Sequence, residues 1–253
     1  MSTAVLEPPV SPPPPPKLTL PEMSIVGHLT ELRRRLVICA SAVAGGGLVG
    51  FILYSRILHF LLGPYVSATG SSKLFITDPL EGFATRLKVA GYAGLVLAMP
   101  VLLWQLWRFV TPALHRRERR MAVPFVISAL LLFAFGAALA FFTLPKALEF
   151  LVQIGGDNLE TIFSPSAYLG LVTFMMVAFG LAFEFPVVLV FLQLVGIVSS
   201  RRLRSWRRYT VVGIFVFVAV ATPSQDPYSL FALAVPMCFF YEAAIVAGRL
   251  LKR

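Results

Sequence analysis

Long apolar runs alternate with short polar segments along this chain of 253 residues. The first run, 36–54, holds 19 residues, with Gly45, Gly46 and Gly47 at its middle. At about 1.5 Å per residue a helix of that length crosses a hydrocarbon core of about 30 Å. Further runs lie at approximately 83–107, 121–144, 167–198, 209–221 and 228–247. The pattern predicts an all-α polytopic membrane protein with six transmembrane helices. The fourth run has 32 residues and must tilt, kink or protrude. The fifth has only 13, about 20 Å of helix, and reads either as a span whose boundary lies a few residues further out or, with Arg208 and Pro223-Ser-Gln-Asp226 closing it in, as a short span.

Before the first run, Ile25, Val26, Leu29, Leu32 and Leu36 recur at helical spacing, so 23–35 reads as an amphipathic helix continuous with it. Residues 1–22, with Pro8, Pro9 and Pro12–Pro16, favour polyproline conformation and read as a tail outside the core. The organisation expected is therefore a tail over 1–22 and a six-helix membrane domain over 23–250. Segments 55–82 and 145–166 read as loops. Trp104, Trp107 and Phe109 are rings of the kind that anchor a helix end at the membrane interface.

Composition agrees: 58% of residues are hydrophobic and only 13% charged, against about a quarter in soluble domains. The net charge of +10 raises the question of nucleic acid. Its arginines, however, cluster beside the apolar runs, and no nucleic-acid partner is expected. Of 22 Lys and Arg, 17 fall in four segments: the N-terminal stretch, 108–120, 199–208 and the C-terminal end. With six spans these four share one side, which places both termini in the cytoplasm. Cys39 and Cys238 lie within apolar runs and read as small buried hydrophobes, with no disulfide or metal framework.

Charge inside the runs is sparse. Arg86, Lys88 and Glu242 lie near run ends, where they can reach the interface. Glu184 alone sits near a midpoint, in Phe183-Glu-Phe-Pro186. A carboxylate there is costly unless paired, wet or protonated. It reads either as a carboxyl bonded to a neighbouring helix or as a polar contact for a mobile partner helix or a proton. Pro186 removes a donor and bends the helix. Glu118 lies among Arg108, Arg116, Arg117, Arg119 and Arg120, and Glu31 lies one turn from Arg34 and Arg35. Both acids read either as local charge balance or, together, as a clamp for an arginine-bearing ligand through two-pronged hydrogen bonds. His28 and His115 have no accompanying ligand set, so no metal is expected. No nucleophile elbow, phosphate loop or His/Cys cluster is present, so neither an enzyme nor a cofactor is expected.

Four motifs resemble one family. His28-Leu-Thr-Glu-Leu-Arg-Arg-Arg-Leu36 is similar to the amino-terminal signature of TatC, the multispanning subunit of the twin-arginine protein translocase. Trp107-Arg-Phe-Val-Thr-Pro-Ala-Leu-His-Arg-Arg-Glu-Arg-Arg120 resembles its first cytoplasmic loop, and Phe179-Gly-Leu-Ala-Phe-Glu-Phe-Pro186 its fourth span. Thr222-Pro-Ser-Gln-Asp226, with Ala234-Val-Pro236 and Tyr241-Glu242, resembles its last external turn and sixth span. The likeness covers about 23–250, in order and spacing.

The resemblance implies a TatC-like concave bundle in the bacterial cytoplasmic (inner) membrane. It implies a receptor for twin-arginine signal peptides on folded cargo, in a complex driven by the proton-motive force. Glu31 and Glu118 would contact the paired arginines, with Arg33, His28 and Phe109 in the same binding region. Glu184 would face a concave pocket where TatA-like and TatB-like single-span proteins dock. Pro64, Asp226 and Pro186 match family positions of structural character. Membrane lipid and further copies of the chain are the other partners implied. One departure is Ser229-Leu230, where the family often has Ser-Gln. A proton-coupled transporter of a small solute using Glu184, and a membrane-embedded enzyme, are the competing classes. The first lacks an inverted repeat and the second a catalytic cluster.

Overall fold

The structure is a computed structural model that describes residues 25–70, 74–76, 78–110, 122–154, 163–222 and 226–251. Among them every regular element is a helix: α1 (Ile25–Ile52), α2 (Tyr54–Leu61), α3 (Gly63–Thr69), α4 (Glu81–Val110), α5 (Ala122–Ile154), α6 (Pro165–Ala182), α7 (Phe185–Leu194), α8 (Ser200–Ala221) and α9 (Pro227–Leu251). Five stretches are long and apolar enough to cross a membrane: Leu29–Ile52, Glu81–Phe109, Val123–Ile154, Pro165–Leu194 and Pro227–Leu250. Large apolar side chains on them face outward, Leu36, Leu97, Phe142 and Phe239 among them. An apolar exterior this extensive suits lipid rather than water.

α8 falls outside that group because five arginines occupy its first nine residues. Its 22 residues make about 33 Å of helix, but only the 13 from Tyr209 onward are apolar. Ser199 starts it, accepting from the Arg202 amide through its Oγ at 3.2 Å.

The expected fourth run is two helices. Phe183 and Glu184 join α6 to α7 with helical dihedrals but a tightened bond, the Glu184 amide donating to the Leu181 carbonyl three residues back at 3.1 Å. Pro186 sits in the first turn of α7, where its missing N–H costs least. Gly196, at φ +84°, ends α7 in the left-handed region that a side chain would disfavour.

Two expected loops contain helix. Residues 54–69 form α2 and α3, whose Leu61, Pro64 and Tyr65 turn inward. Tyr168 on α6 donates its hydroxyl to the Leu61 carbonyl at 2.6 Å and so ties the junction of these helices to the core. α5 does not stop at Leu144 but runs through Pro145 to Ile154. Ala147 and Leu148 are fully buried just beyond the proline, so packing holds the helix across the missing donor.

α1 packs closely along α4. A Cβ on Gly94 would lie 2.6 Å from the Gly47 nitrogen and the Val43 carbonyl, and one on Gly50 would lie 2.8 Å from the Ala93 Cβ. Gly46 and Gly50, four apart, thus form a small-residue strip on which α4 lays Ala90, Ala93 and Gly94. The central core gathers Tyr168, Phe179, Phe183, Leu233 and Tyr241 from α6, the α6–α7 bend and α9.

Candidate functional site

Two regions carry the polar chemistry singled out in the sequence, and α4 touches both. The first lies at the N-terminal end of α1. Arg35 donates through Nε to Glu31 Oε1 at 3.1 Å and through Nη2 to the same oxygen. Its Nη1 reaches across to α4, meeting Gln105 Oε1 at 3.2 Å and the Gln105 carbonyl at 3.4 Å. Glu31 is half-buried, and its carboxylate is oriented by the Arg35 guanidinium one turn along α1, itself held by Gln105 of α4. Arg33 and Arg34 are exposed. Five residues past Gln105 α4 ends, and the arginine-rich segment begins. Phe109 is half-buried in that last turn. Glu118 lies outside the described residues, as does the His28 side chain.

Trp107 departs from the interfacial role expected of it. Only 4% of it is exposed, and its ring packs on Phe125 of α5 (centroids 4.5 Å apart) and Phe191 of α7 (6.0 Å). Trp104 is the ring that faces outward. Trp107 therefore joins the end of α4 to the start of α5, on either side of the segment that carries Glu118.

The second region is the bend at Glu184. It opens on a groove of about 480 Å³ between α4, α5 and α7, walled by Met99, Leu103, Trp107, Phe125, Val188 and Phe191. Glu184 is the one charged side chain among the described residues lining it. Its Oε1 is shut off from solvent and has no hydrogen-bond partner among the described residues. An unpaired buried polar atom is costly, so this oxygen has an unmet demand for a donor. α4 turns Gln105 toward Arg35 and Leu102, Leu103 and Leu106 toward the Glu184 groove.

The remaining matched positions are structural. Asp226 is fully buried and accepts from the Ser229 amide at 2.7 Å, capping α9 with Pro227 as its first residue. Pro64 is buried at the start of α3 and Pro186 at the start of α7. Leu230, at the position where the resemblance leads one to expect glutamine, packs against the core.

Several polar contacts had no signal in the sequence beyond a polar letter inside an apolar run. Gln193 on α7 is one: it accepts from Ser200 Oγ at 2.6 Å and donates to the Ala244 carbonyl on α9. Glu81 at the start of α4 accepts from the Ser166 amide in the first turn of α6 at 3.1 Å. The charges expected at the interface are engaged by protein as well. Lys88 donates to Ser166 Oγ at 2.7 Å, Arg207 pairs with Glu242, and Arg86 donates to the Phe51 carbonyl at 3.1 Å. No group of three His, Cys, Asp or Glu residues able to hold a metal occurs among the described residues.

An all-helical chain with several apolar membrane-length helices, an acid–arginine pair at one end and an unpaired carboxyl in an apolar groove defines a multi-pass membrane protein. Comparison with known proteins makes the assignment particular. The family model for the Sec-independent protein translocase protein TatC matches residues 27–236. The TatC protein of Frankia casuarinae is 42% identical over 91% of this chain and 67% of its own length. That of Aquifex aeolicus is 35% identical over 91% of this chain and 97% of its own. A crystal structure of the twin arginine translocase receptor TatC superposes with a TM-score of 0.74 at 36% identity, covering 89% of this chain and 100% of that one. The chain belongs to the TatC family. It is a non-enzymatic component of a protein translocase.

Proposed function

We propose that this protein is the receptor that binds twin-arginine signal peptides of folded proteins at the cytoplasmic face and scaffolds TatA-like and TatB-like single-span partners for export driven by the proton-motive force. In this reading six helices span the bacterial inner membrane, the fifth being the short apolar part of α8. Both termini are cytoplasmic, and several copies act together in a receptor complex.

The observation that carries the reading is the linkage of Glu31 through Arg35 to Gln105. It holds one acid beside the end of α4, from which the segment bearing Glu118 departs. A carboxylate oriented in advance binds a planar guanidinium with less loss of freedom than a mobile one. Arg33 and Phe109 flank the same end of the pair. The second element is the Glu184 groove, whose unmatched oxygen suits a polar side chain on an otherwise apolar partner helix.

Photo-crosslinking tests this reading. A signal peptide with a crosslinker beside its arginine pair should label 23–35 and 108–120 in membranes, and lose that labelling when the arginines become lysines. Labelling elsewhere, or labelling indifferent to the change, would contradict it.

A further inference from the structure

A second crevice lies away from Glu184. It holds about 340 Å³ between the C-terminal half of α1, α2, the middle of α4 and α6, and Gly50, Leu53, Ile57, Val89, Val96 and Leu97 line it. Val49, Phe60 and Leu97 stand at its rim, each with roughly half its surface open. Arg86 lies just beyond it, one helical turn before the lining residue Val89. Arg86, Val89 and Ala93 share one face of α4, at the three- and four-residue spacing of helix neighbours. The guanidinium carbon sits 4.2 Å from the Phe51 ring centroid and 5.4 Å from that of Tyr54, where α1 ends. Nε and Nη2 both donate to the Phe51 carbonyl, at 3.4 and 3.1 Å, and Nη1 has no acceptor among the described residues. Arg56, on the first turn of α2, is exposed beside this junction.

We propose that this crevice is a binding site for an anionic phospholipid, with one acyl chain in the apolar channel and the phosphate at Arg86. Two observations select that occupant. The residues lining it are apolar almost throughout and none is charged, which suits an acyl chain. A cation with unused donor capacity stands just beyond its end, where α1 stops. A phosphate there completes the Arg86 shell, and the lipid's net negative charge is favoured by Arg56 nearby. The leaflet concerned, the outer one, rests on the topology proposed above; the site itself does not.

The test measures lipid retained by the detergent-purified full chain, by native mass spectrometry after equilibration with phosphatidylglycerol or phosphatidylcholine. The wild-type protein should retain the anionic lipid about fivefold better, the worth of one basic residue at a charged surface. Arg86→Gln should bring that ratio close to one, while Arg86→Lys keeps most of it. Leu97→Trp, which fills the rim and leaves Arg86 in place, should reduce retention of both lipids. Equal retention of the two lipids by the wild type, or a ratio unchanged in Arg86→Gln, would show only non-selective annular lipid and overturn the proposal. Undiminished retention in Leu97→Trp would place the acyl chain elsewhere and overturn it too.

Discussion

Gln193 on α7 donates its side-chain amide to the main-chain carbonyl of Ala244 on α9, at 2.9 Å, in a place fully closed to solvent. The other end of the same amide accepts from Ser200 at the start of α8. One side chain thus joins α7, α8 and α9. Gly248 makes room for it: a Cβ there would lie 2.1 Å from Gln193 Oε1.

Gln193→Leu should therefore destabilise the purified protein by about 0.6–1.7 kcal/mol, the range for a hydrogen bond between membrane helices. Thermal unfolding in detergent checks it. Gly248→Val should expel the glutamine side chain, and the double variant should lose much less than the sum of the two. Strict additivity would show that the two positions act separately.

The α1–α4 crossing predicts a sharper contrast. Gly94→Ala places a methyl against the backbone of Val43 and Gly47, where no flexible atom can yield, and should cost about 1–3 kcal/mol or more. Gly91→Ala, on the same helix with nothing within 4 Å, should be neutral or stabilising by up to about 1 kcal/mol through helix propensity. Equal melting temperatures for the two variants would remove the close crossing from the account.

These two sites show what was legible in the sequence. The glycines of the first run stood out in the middle of a membrane-length segment, but only the structure shows that Gly46 and Gly47, rather than Gly45, meet Gly94, and that Gly50 meets Ala90 and Ala93. The break of the fourth run was readable from Glu184-Phe-Pro186, because a proline cannot donate. Segment 145–166 read as a loop, but burial of Ala147 and Leu148 outweighs the bond missing at Pro145, and α5 continues. Segment 55–82, with Pro64 in it, read as a loop; in the structure Pro64 stands in the first turn of α3 and starts a helix instead. Trp107 carries the letter of an interfacial anchor and spends it on Phe125 and Phe191. Gln105 and Gln193 gave no warning, since a polar residue in an apolar run does not name its partner on another helix.

Glu184 tests the groove. Glu184→Ala should leave signal-peptide binding intact and weaken capture of a single-span partner helix that carries a polar side chain. Glu184→Gln should retain part of that capture, because an amide still offers an accepting oxygen. Co-purification of the partner with each variant reads this directly, and normal capture by Glu184→Ala would remove the carboxyl from partner docking.

The central claim is that Glu31 and Glu118 read arginine, and the direct measurement is binding of paired-arginine and paired-lysine signal peptides to the purified receptor complex. Truncating one partner of a partly buried charge pair costs roughly 2–5 kcal/mol. Each of Glu31→Ala and Glu118→Ala should thus weaken the arginine peptide strongly. The lysine peptide should bind worse to the wild type, because an ammonium cannot make the two-pronged contact, and should lose much less in either variant. Equal losses for both peptides would contradict the account, showing that the two acids act through general charge or through folding.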